Sequence, residues 1–249
     1  MTTDHFSAYA ADYARFRPSY PPELFDWLAG QCAAHQLAWD CGTGNGQAAR
    51  ALAPHFERII ATDLSGEQIA QATPDPRITY RAAPAEASGL ANASCDLVVV
   101  AQALHWFCNE PFYAEIKRVL KPGGLFAAWT YTLLQTDAKL NAAITHFHDH
   151  TVGPWWPPER RWVNLAYAGM PFPFADLPTP RFEIRLQWTL ADLLAYVRTW
   201  SATQRFITDN GRDPTLELDN ALRPLWGDPE VSKSIVWPIA LRAGIMPGN

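Results

Sequence analysis

The sequence has few of the residues on which disulfide-bonded and zinc-binding proteins depend. The four cysteines in its 249 residues form no CxxC pair and match no zinc spacing; they are Cys32, Cys41, Cys95 and Cys108. Because reduced thiols are typical of the cytosol, we expect free cysteines and a cytoplasmic protein. The closely spaced His146, His148 and His150 have only Asp149 as a nearby carboxylate. We therefore expect a polar helix end there, and no metal site.

Blocks of like charge and long apolar runs are also missing. The formal net charge of −5 is spread along the chain, so it provides no electrostatic footprint for nucleic acid or an anionic membrane surface. The longest apolar run, residues 97–104, is interrupted by Gln102 and is far too short to cross a bilayer. The N-terminal stretch lacks the basic and apolar regions of a signal peptide. We therefore expect neither a nucleic-acid nor a membrane partner.

From residue 37 onward, short apolar segments alternate with helical patterns. We predict strands over residues 37–42, 58–64, 78–83, 95–101, 125–132, 181–190 and 234–244. Helices are predicted over residues 22–35, 47–55, 65–73, 110–120, 137–149 and 191–207. Alternation at this spacing predicts βαβ units and a mostly parallel sheet. The length fits a single domain over residues 1–249.

Two segments depart from this alternation. Residues 133–180 contain the stretches GPWWPPERRW and MPFPFADLPTP and are too long for a simple connection. We predict that they form a cap inserted between strands five and six. Residues 1–20 carry an aromatic stripe at helical spacing that includes Tyr13, which predicts a short N-terminal lid.

The strongest local signal is DCGTGNG, residues 40–46, at the end of the first predicted strand. Its glycines allow a sharp turn and a close approach to a ligand, and the helix that follows presents free N–H groups. Asp63 ends the second strand, where a carboxylate can accept hydrogen bonds from both ribose hydroxyls of an adenosine. Together these features predict an adenosine-containing ligand at the carboxyl ends of strands one and two.

The acid before the glycines favours one such ligand over another. Dinucleotide sites usually read GxGxxG and hold a pyrophosphate, whereas this loop reads GxGxG and follows Asp40. A carboxylate there would repel a pyrophosphate but can receive a cationic amino group. The pattern therefore favours S-adenosylmethionine, with S-adenosylhomocysteine as product.

Residues 37–131 resemble a class I S-adenosylmethionine-dependent methyltransferase. The motifs are DCGTGNG, ATDLS, CDLVVVAQALHW and VLKPGGLF. FSAYAADYARFRPSYP, ALHWF and VRTWSATQRF extend the resemblance to methyltransferase type 11 proteins of a trans-aconitate methyltransferase-like subgroup. The resemblance implies a Rossmann-like, doubly wound, mostly parallel seven-stranded α/β sheet. It also implies direct methyl transfer to a small-molecule acceptor, and the subgroup suggests a carboxylic acid.

The resemblance also implies which residues contact the cofactor. They are Tyr13, Arg17, Asp40, Gly42, Thr43, Gly44, Asp63, Leu64, Ala85, Glu86, Ala101 and Gln102. Asp40 would lie near the amino group, Asp63 at the ribose and Leu64 on the adenine, while Arg17 would pair with the carboxylate. The loop after strand three has Pro84 where the family often has an acid. Ala85 or Glu86 is therefore expected to contact the adenine amino group instead.

The region beyond strand four is the expected acceptor side of the site. The candidate pocket residues are His105, Trp106, Trp129 and Trp200. His105 is a candidate general base for an acid or hydroxyl acceptor, against an orienting or packing role, because transfer to a carboxylate needs no base. Trp106 is a candidate wall beside the sulfonium, or a packing residue.

Two other function classes remain open from the sequence. One is an NAD-type oxidoreductase of similar architecture, and the other is a protein that binds S-adenosylmethionine without catalysis. A monomer and a homodimer are both compatible with the sequence.

Overall fold

The computed structural model describes residues 18–248 of the chain. Its seven strands are β1 (Leu37–Cys41), β2 (Arg58–Asp63), β3 (Ile78–Ala82), β4 (Cys95–Ala101), β5 (Leu120–Tyr131), β6 (Phe182–Trp188) and β7 (Lys233–Ile245). The α-helices are α1 (Pro22–Gly30), α2 (Gln47–Leu52), α3 (Gly66–Ala70), α4 (Leu104–Phe107), α5 (Glu110–Val119), α6 (Ala138–His146), α7 (Arg160–Asn164), α8 (Leu190–Arg198), α9 (Ser201–Asn210) and α10 (Thr215–Trp226).

The strands form one mixed sheet in the order β3-β2-β1-β4-β5-β7-β6. β1 pairs in parallel with β2 and β4, β2 with β3, and β4 with β5, whereas β5 and β7 are antiparallel. The strand order reverses direction between β1 and β4, so a crevice is expected outside their carboxyl ends. The predicted doubly wound, mostly parallel sheet of seven strands is confirmed.

The burial of the central strands follows from their sequences. β1 and the first six residues of β4 are buried, as expected for parallel strands covered on both faces. β5 begins at Leu120 and not at residue 125 as predicted, because Leu120 already pairs with Cys95 before the register shifts at Leu97. The turn residues KPGG therefore lie within the strand and do not precede it.

The chain divides into two compact units. One, called the sheet unit below, comprises Ser19–Thr132, Arg161–Phe182 and residues 239–248. The other, called the helical unit, comprises Leu133–Arg160 and Glu183–Pro238 among the described residues. The predicted cap, residues 133–180, thus contributes its first part to the helical unit and its last part to the sheet unit. No helix in residues 18–248 is long and apolar enough to cross a membrane.

The helical unit has its own aromatic core. Trp237 donates a hydrogen bond from Nε1 to the Tyr196 hydroxyl at 3.2 Å, and Trp188 packs edge-on against Trp237. The predicted helix over residues 191–207 is two helices, α8 and α9, because Trp200 has an extended backbone between them. The predicted helix over 137–149 ends as an α-helix at His146 and continues as one π-helical turn, Phe147–Thr151.

Candidate functional site

The loop after β1 leaves space for a ligand at Gly44. Gly42, Gly44 and Gly46 all have positive φ, which glycine adopts without steric cost. A Cβ atom added at Gly44 would meet only Gln68 Oε1, at 3.9 Å, within the described chain. At Gly42 it would lie 2.7 Å from the Cβ of Ala103, so that position is filled by protein. A ligand can therefore approach the backbone at Gly44.

Asp40 is completely buried at the end of β1. Its Oδ2 accepts hydrogen bonds from the Thr43 hydroxyl at 2.5 Å and the Ala49 backbone N–H at 3.0 Å. Its Oδ1 is buried and has no hydrogen-bond partner in the part of the chain described. Burial, with a smaller contribution from the charge of Asp63, raises the pKa of Asp40 to about 7, although the two hydrogen bonds act to lower it. An unpaired buried carboxylate oxygen fits a ligand that brings a cationic amino group.

Asp63 links the end of β2 to the glycine loop. Its Oδ2 accepts a hydrogen bond from the Gly44 backbone N–H at 2.8 Å, and its Oδ1 accepts one from Ser65 N–H at 2.9 Å. A carboxylate offers about four lone-pair sites, so capacity remains for two ribose hydroxyls. The side chain of the neighbouring Leu64 is 60% exposed, which makes it available to pack against an adenine ring.

Ala85 and Glu86 lie in the loop after β3, within the sheet unit. Ala85 is partly buried and packs against the core of that unit. Glu86 accepts a hydrogen bond at 3.1 Å from the side-chain amide of Asn109, the residue that caps α5. The contact of Ala85 or Glu86 with an adenine stays a prediction.

At the end of β4 the chain adopts an unusual conformation at Gln102. Its φ is +58°, a value that non-glycine residues rarely adopt, and its N–H donates to the Trp129 carbonyl at 2.9 Å. The Thr130 hydroxyl donates to Gln102 Oε1 at 2.8 Å, while Gln102 Nε2 is buried without a partner in the described chain. Ala101, just before it, is half-buried. Strained residues of this kind are found most often at functional sites.

His105 lies in the short helix α4 and is almost fully buried. Its Nδ1 is 3.2 Å from the Tyr167 hydroxyl, and its ring lies against Trp106, with centroids 4.9 Å apart. Tyr167 is completely buried, and burial raises its pKa well above the ordinary value. This contact between His105 and Tyr167 was not predicted from the sequence, because 62 residues separate the two and Tyr167 lies in an irregular segment.

The predicted pocket tryptophans are divided between the two units. Trp129, in β5, is fully buried and packs edge-on against Tyr20, with ring centroids 5.5 Å apart. Trp106 is half-buried beside His105, also in the sheet unit. Trp200 belongs to the helical unit, where it packs against aromatic side chains that include Trp156.

The predictions for Tyr13, for Arg17 and for a metal site remain to be compared with the structure. Tyr13 and Arg17 lie outside the described residues, as does most of the predicted lid. Within residues 18–248, no group of three or more His, Cys, Asp or Glu side chains is arranged to hold a metal ion.

Comparison with known proteins identifies relatives along most of the chain. Residues 39–128 match a family model described as a methyltransferase domain. A presumed methyltransferase of Dictyostelium discoideum is 31% identical over 88% of this chain and 85% of its own length. A probable S-adenosylmethionine-dependent methyltransferase of Saccharomyces cerevisiae is 30% identical over 83% of this chain and 84% of its own length. The solved structure of a presumed type II methyltransferase from Anaeromyxobacter dehalogenans is 44% identical, covers 94% of this chain and all of its own, and superposes with a TM-score of 0.87.

Proposed function

The chain belongs to the class I S-adenosylmethionine-dependent methyltransferases, and we propose that it methylates a small-molecule acceptor bound beside the loop that follows β4. The use of S-adenosylmethionine, predicted from the glycine loop, follows from that membership. The observation that carries the site assignment is the unpaired Oδ1 of Asp40 beside a glycine loop that is open at Gly44. The residues present fit the amino-acid end of this cofactor.

We assign the chain's own residues to the parts of the cofactor. Asp40 Oδ1 would accept a hydrogen bond from the amino group, and the remaining lone pairs of Asp63 would accept from the ribose hydroxyls. Leu64 would pack on the adenine, with Ala85 or Glu86 at its amino group. When bound, S-adenosylmethionine supplies an electrophilic methyl group.

The other predicted contacts complete this assignment. Gly42, Thr43 and Gly44 would line the methionine part, and Ala101 and Gln102 would lie beneath the sulfonium. Tyr13 and Arg17 remain proposed as contacts that close over the cofactor, and Arg17 as the partner of its carboxylate.

On the acceptor side, the protein acts mainly by alignment. Holding two reactants in line can contribute about 7–11 kcal/mol to lowering the barrier. We propose His105 and Trp106 as neighbours of the acceptor, with Trp129 as a further candidate pocket residue. The role of Trp200 stays a prediction from the sequence. His105 would orient the acceptor or accept its proton. A carboxylic acid is the first acceptor class to test, because the chain resembles the trans-aconitate methyltransferase-like subgroup.

The cellular compartment, the exclusion of nucleic acid as acceptor and the oligomeric state are also part of the proposal. All four cysteines are free, which supports a reducing compartment and hence the cytoplasm. The net charge of −5 gives no reason to expect a nucleic acid as the acceptor. We propose a monomer or a homodimer.

Two titrations and one screen test the proposal. S-adenosylmethionine and NAD would each be titrated calorimetrically into the full chain, and binding of the first alone is expected. S-adenosylhomocysteine release would then be measured with trans-aconitate, citrate, succinate, benzoate, phenol and ethanolamine as acceptors. Turnover with the acids supports the proposal. Turnover with ethanolamine alone would contradict the carboxylic acid, and cofactor binding without any turnover would favour a non-catalytic binding protein.

A further inference from the structure

The His105 side chain is held by a residue from a distant part of the sequence. Its Nδ1 lies 3.2 Å from the Tyr167 hydroxyl, and both residues belong to the sheet unit. The two rings are tilted by 45° with centroids 6.2 Å apart, so the close contact is made through the hydroxyl and not by stacking. The Tyr167 hydroxyl is therefore the group that fixes one nitrogen of the imidazole ring.

The backbone that presents Tyr167 is strained. Ala166 and Tyr167 have φ values of +52° and +60°, where a non-glycine residue is unfavourable. Backbone hydrogen bonds hold the turn, from Ala166 N–H to Val163 O at 2.9 Å and from Tyr167 N–H to Trp162 O at 2.8 Å. Strained residues persist only where their surroundings determine them, and they occur most often at functional sites. The strain here directs the Tyr167 side chain into the buried contact with His105.

Separate contacts attach residues 161–182 to a helix and a strand of the sheet unit. The Tyr113 hydroxyl donates to the Pro171 carbonyl at 2.6 Å, and Arg242 Nη1 donates to the Met170 carbonyl at 2.6 Å. Neither contact uses the Tyr167 hydroxyl. Removal of that hydroxyl should therefore leave the segment attached and affect only the groups that face it, among them the His105 ring.

The Tyr167 hydroxyl is suited to hold a histidine. Burial raises its pKa well above the ordinary value, so the group stays protonated and neutral at physiological pH. The Thr130 side chain and the backbone of Leu104 and His105 also face this hydroxyl. It is therefore confined within a buried polar cluster and has little freedom to rotate away from the imidazole.

We propose that Tyr167 is a positioning residue of the acceptor site, and that its hydroxyl fixes the orientation of the His105 ring. The inference rests on the proposed function, because it takes His105 to lie beside the bound acceptor. Tyr167 does not touch the acceptor and acts through His105. Residues 161–182 are then part of the acceptor site and not only a connection.

A matched pair of substitutions tests this role. Tyr167→Phe keeps the ring and removes the hydroxyl that contacts His105. Tyr113→Phe removes a tyrosine hydroxyl that contacts the same segment at Pro171 and leaves His105 alone. Both variants would be compared with wild type in the full chain, saturated with S-adenosylhomocysteine.

The first measurement needs no acceptor. Two-bond ¹H–¹⁵N NMR reports the protonation of each imidazole nitrogen, and the His105 signals are assigned by their loss in His105→Gln. We expect the ¹⁵N shifts of His105 to change in Tyr167→Phe and to stay as in wild type in Tyr113→Phe, because the hydrogen bond at Nδ1 selects the tautomer. Unchanged His105 shifts in Tyr167→Phe would overturn the proposal.

The second measurement uses the carboxylic acid from the six-compound panel that gives the fastest turnover. Tyr167→Phe should lower kcat about 10- to 100-fold, with the KM for S-adenosylmethionine unchanged. The kcat of Tyr113→Phe should stay within about twofold of the wild-type value. In a His105→Ala background, Tyr167→Phe should cause no further loss, because the residue acts through His105.

Three results would contradict the proposal in distinguishable ways. Losses that multiply in the double variant would show that Tyr167 supports the fold and not His105. An equal loss in Tyr113→Phe would assign the effect to the attachment of residues 161–182. A fully active His105→Ala would remove His105 from the acceptor site and overturn the proposal, while the titrations of the cofactor would be unaffected.

Discussion

The proposed cofactor end and the proposed acceptor end of the site are built in different ways. At the cofactor end, Asp40 lies near the end of β1 and Gly44 in the loop that follows, and Asp63 contacts Gly44 from 19 residues further along the chain. At the acceptor end, His105 is held by Tyr167 across 62 residues. The first arrangement follows from a local motif, whereas the second depends on how an irregular segment packs. Substitutions at the two ends should therefore separate cofactor binding from turnover.

The largest separation is expected from Gly44→Val. A β-branched side chain at φ +57° is strained and would fill the space left for the methionine part, so binding of S-adenosylmethionine should be lost by more than about 100-fold. Gly123→Val is the matched control, because Gly123 has φ +77° with open space around it and lies away from the loop. Calorimetry should show normal affinity in the control. Normal affinity in a folded Gly44→Val would exclude the loop from the site.

A smaller effect is expected from pH, acting through Asp40. The pKa of about 7 in the free protein means that a bound proton competes with the cationic amino group. As the pH increases toward this pKa, the affinity should rise by about tenfold per pH unit, and at higher pH it should level off. Asp40→Asn should be weaker at high pH and nearly independent of pH. Calorimetric titrations between about pH 5.5 and 8.5 would show this, and an equally steep slope in Asp40→Asn would assign it to another group.

The raised pKa of Asp40 also affects the stability of the free protein. Stability should fall as the pH rises, whereas the affinity for the cofactor should increase. The folded-state pKa of Asp40 lies above its ordinary value of 3.8, so the folded chain holds the proton more tightly than the unfolded chain. The contribution of Asp40 to stability is therefore fully present below about pH 4 and is lost as the pH rises through about 7. In urea unfolding experiments, Asp40→Asn should remove this decline. If the decline remains in the variant, a group other than Asp40 causes it.

The smallest effect is expected at the adenine. Leu64→Ala should weaken S-adenosylmethionine binding by about 1 kcal/mol, roughly fivefold, because only part of one side chain would be buried by the ring. Its 60% exposure means that the stability of the free protein should barely change. Leu216→Ala, at a leucine in α10 that is 66% exposed, is the control and should alter neither property. If Leu64→Ala binds as wild type, the adenine lies elsewhere.

The difference between the two ends also explains what the sequence could predict. β4 was predicted with the bounds that it has, because an unbroken apolar run over residues 97–101, rich in valine and followed by a polar residue, leaves little choice. The glycine loop and Asp63 could be placed because strand ends in a parallel sheet converge. The family and its cofactor followed from the same local motifs.

Elements that depend on tertiary packing were harder to predict. α10 was not predicted, because Pro224 lies inside it and interrupts the helical pattern. The break at Trp200 was missed, since nothing in the local sequence stops the helix there. Tyr167 gave no signal as a site residue, because its role depends on a left-handed turn at two non-glycine residues. Only the packing of residues 161–182 brings the Tyr167 hydroxyl to His105.

One titration tests the separation of the two ends most directly. S-adenosylhomocysteine would be titrated calorimetrically into the wild type, Asp63→Ala and His105→Ala. We expect Asp63→Ala to weaken binding by at least about tenfold, because each hydrogen bond between a charged group and the ribose contributes roughly 1.5–3 kcal/mol. His105→Ala should bind as tightly as the wild type. Unchanged affinity in a folded Asp63→Ala, or an equal loss in both variants, would contradict a site whose cofactor end lies at β1 and β2 and whose acceptor end follows β4.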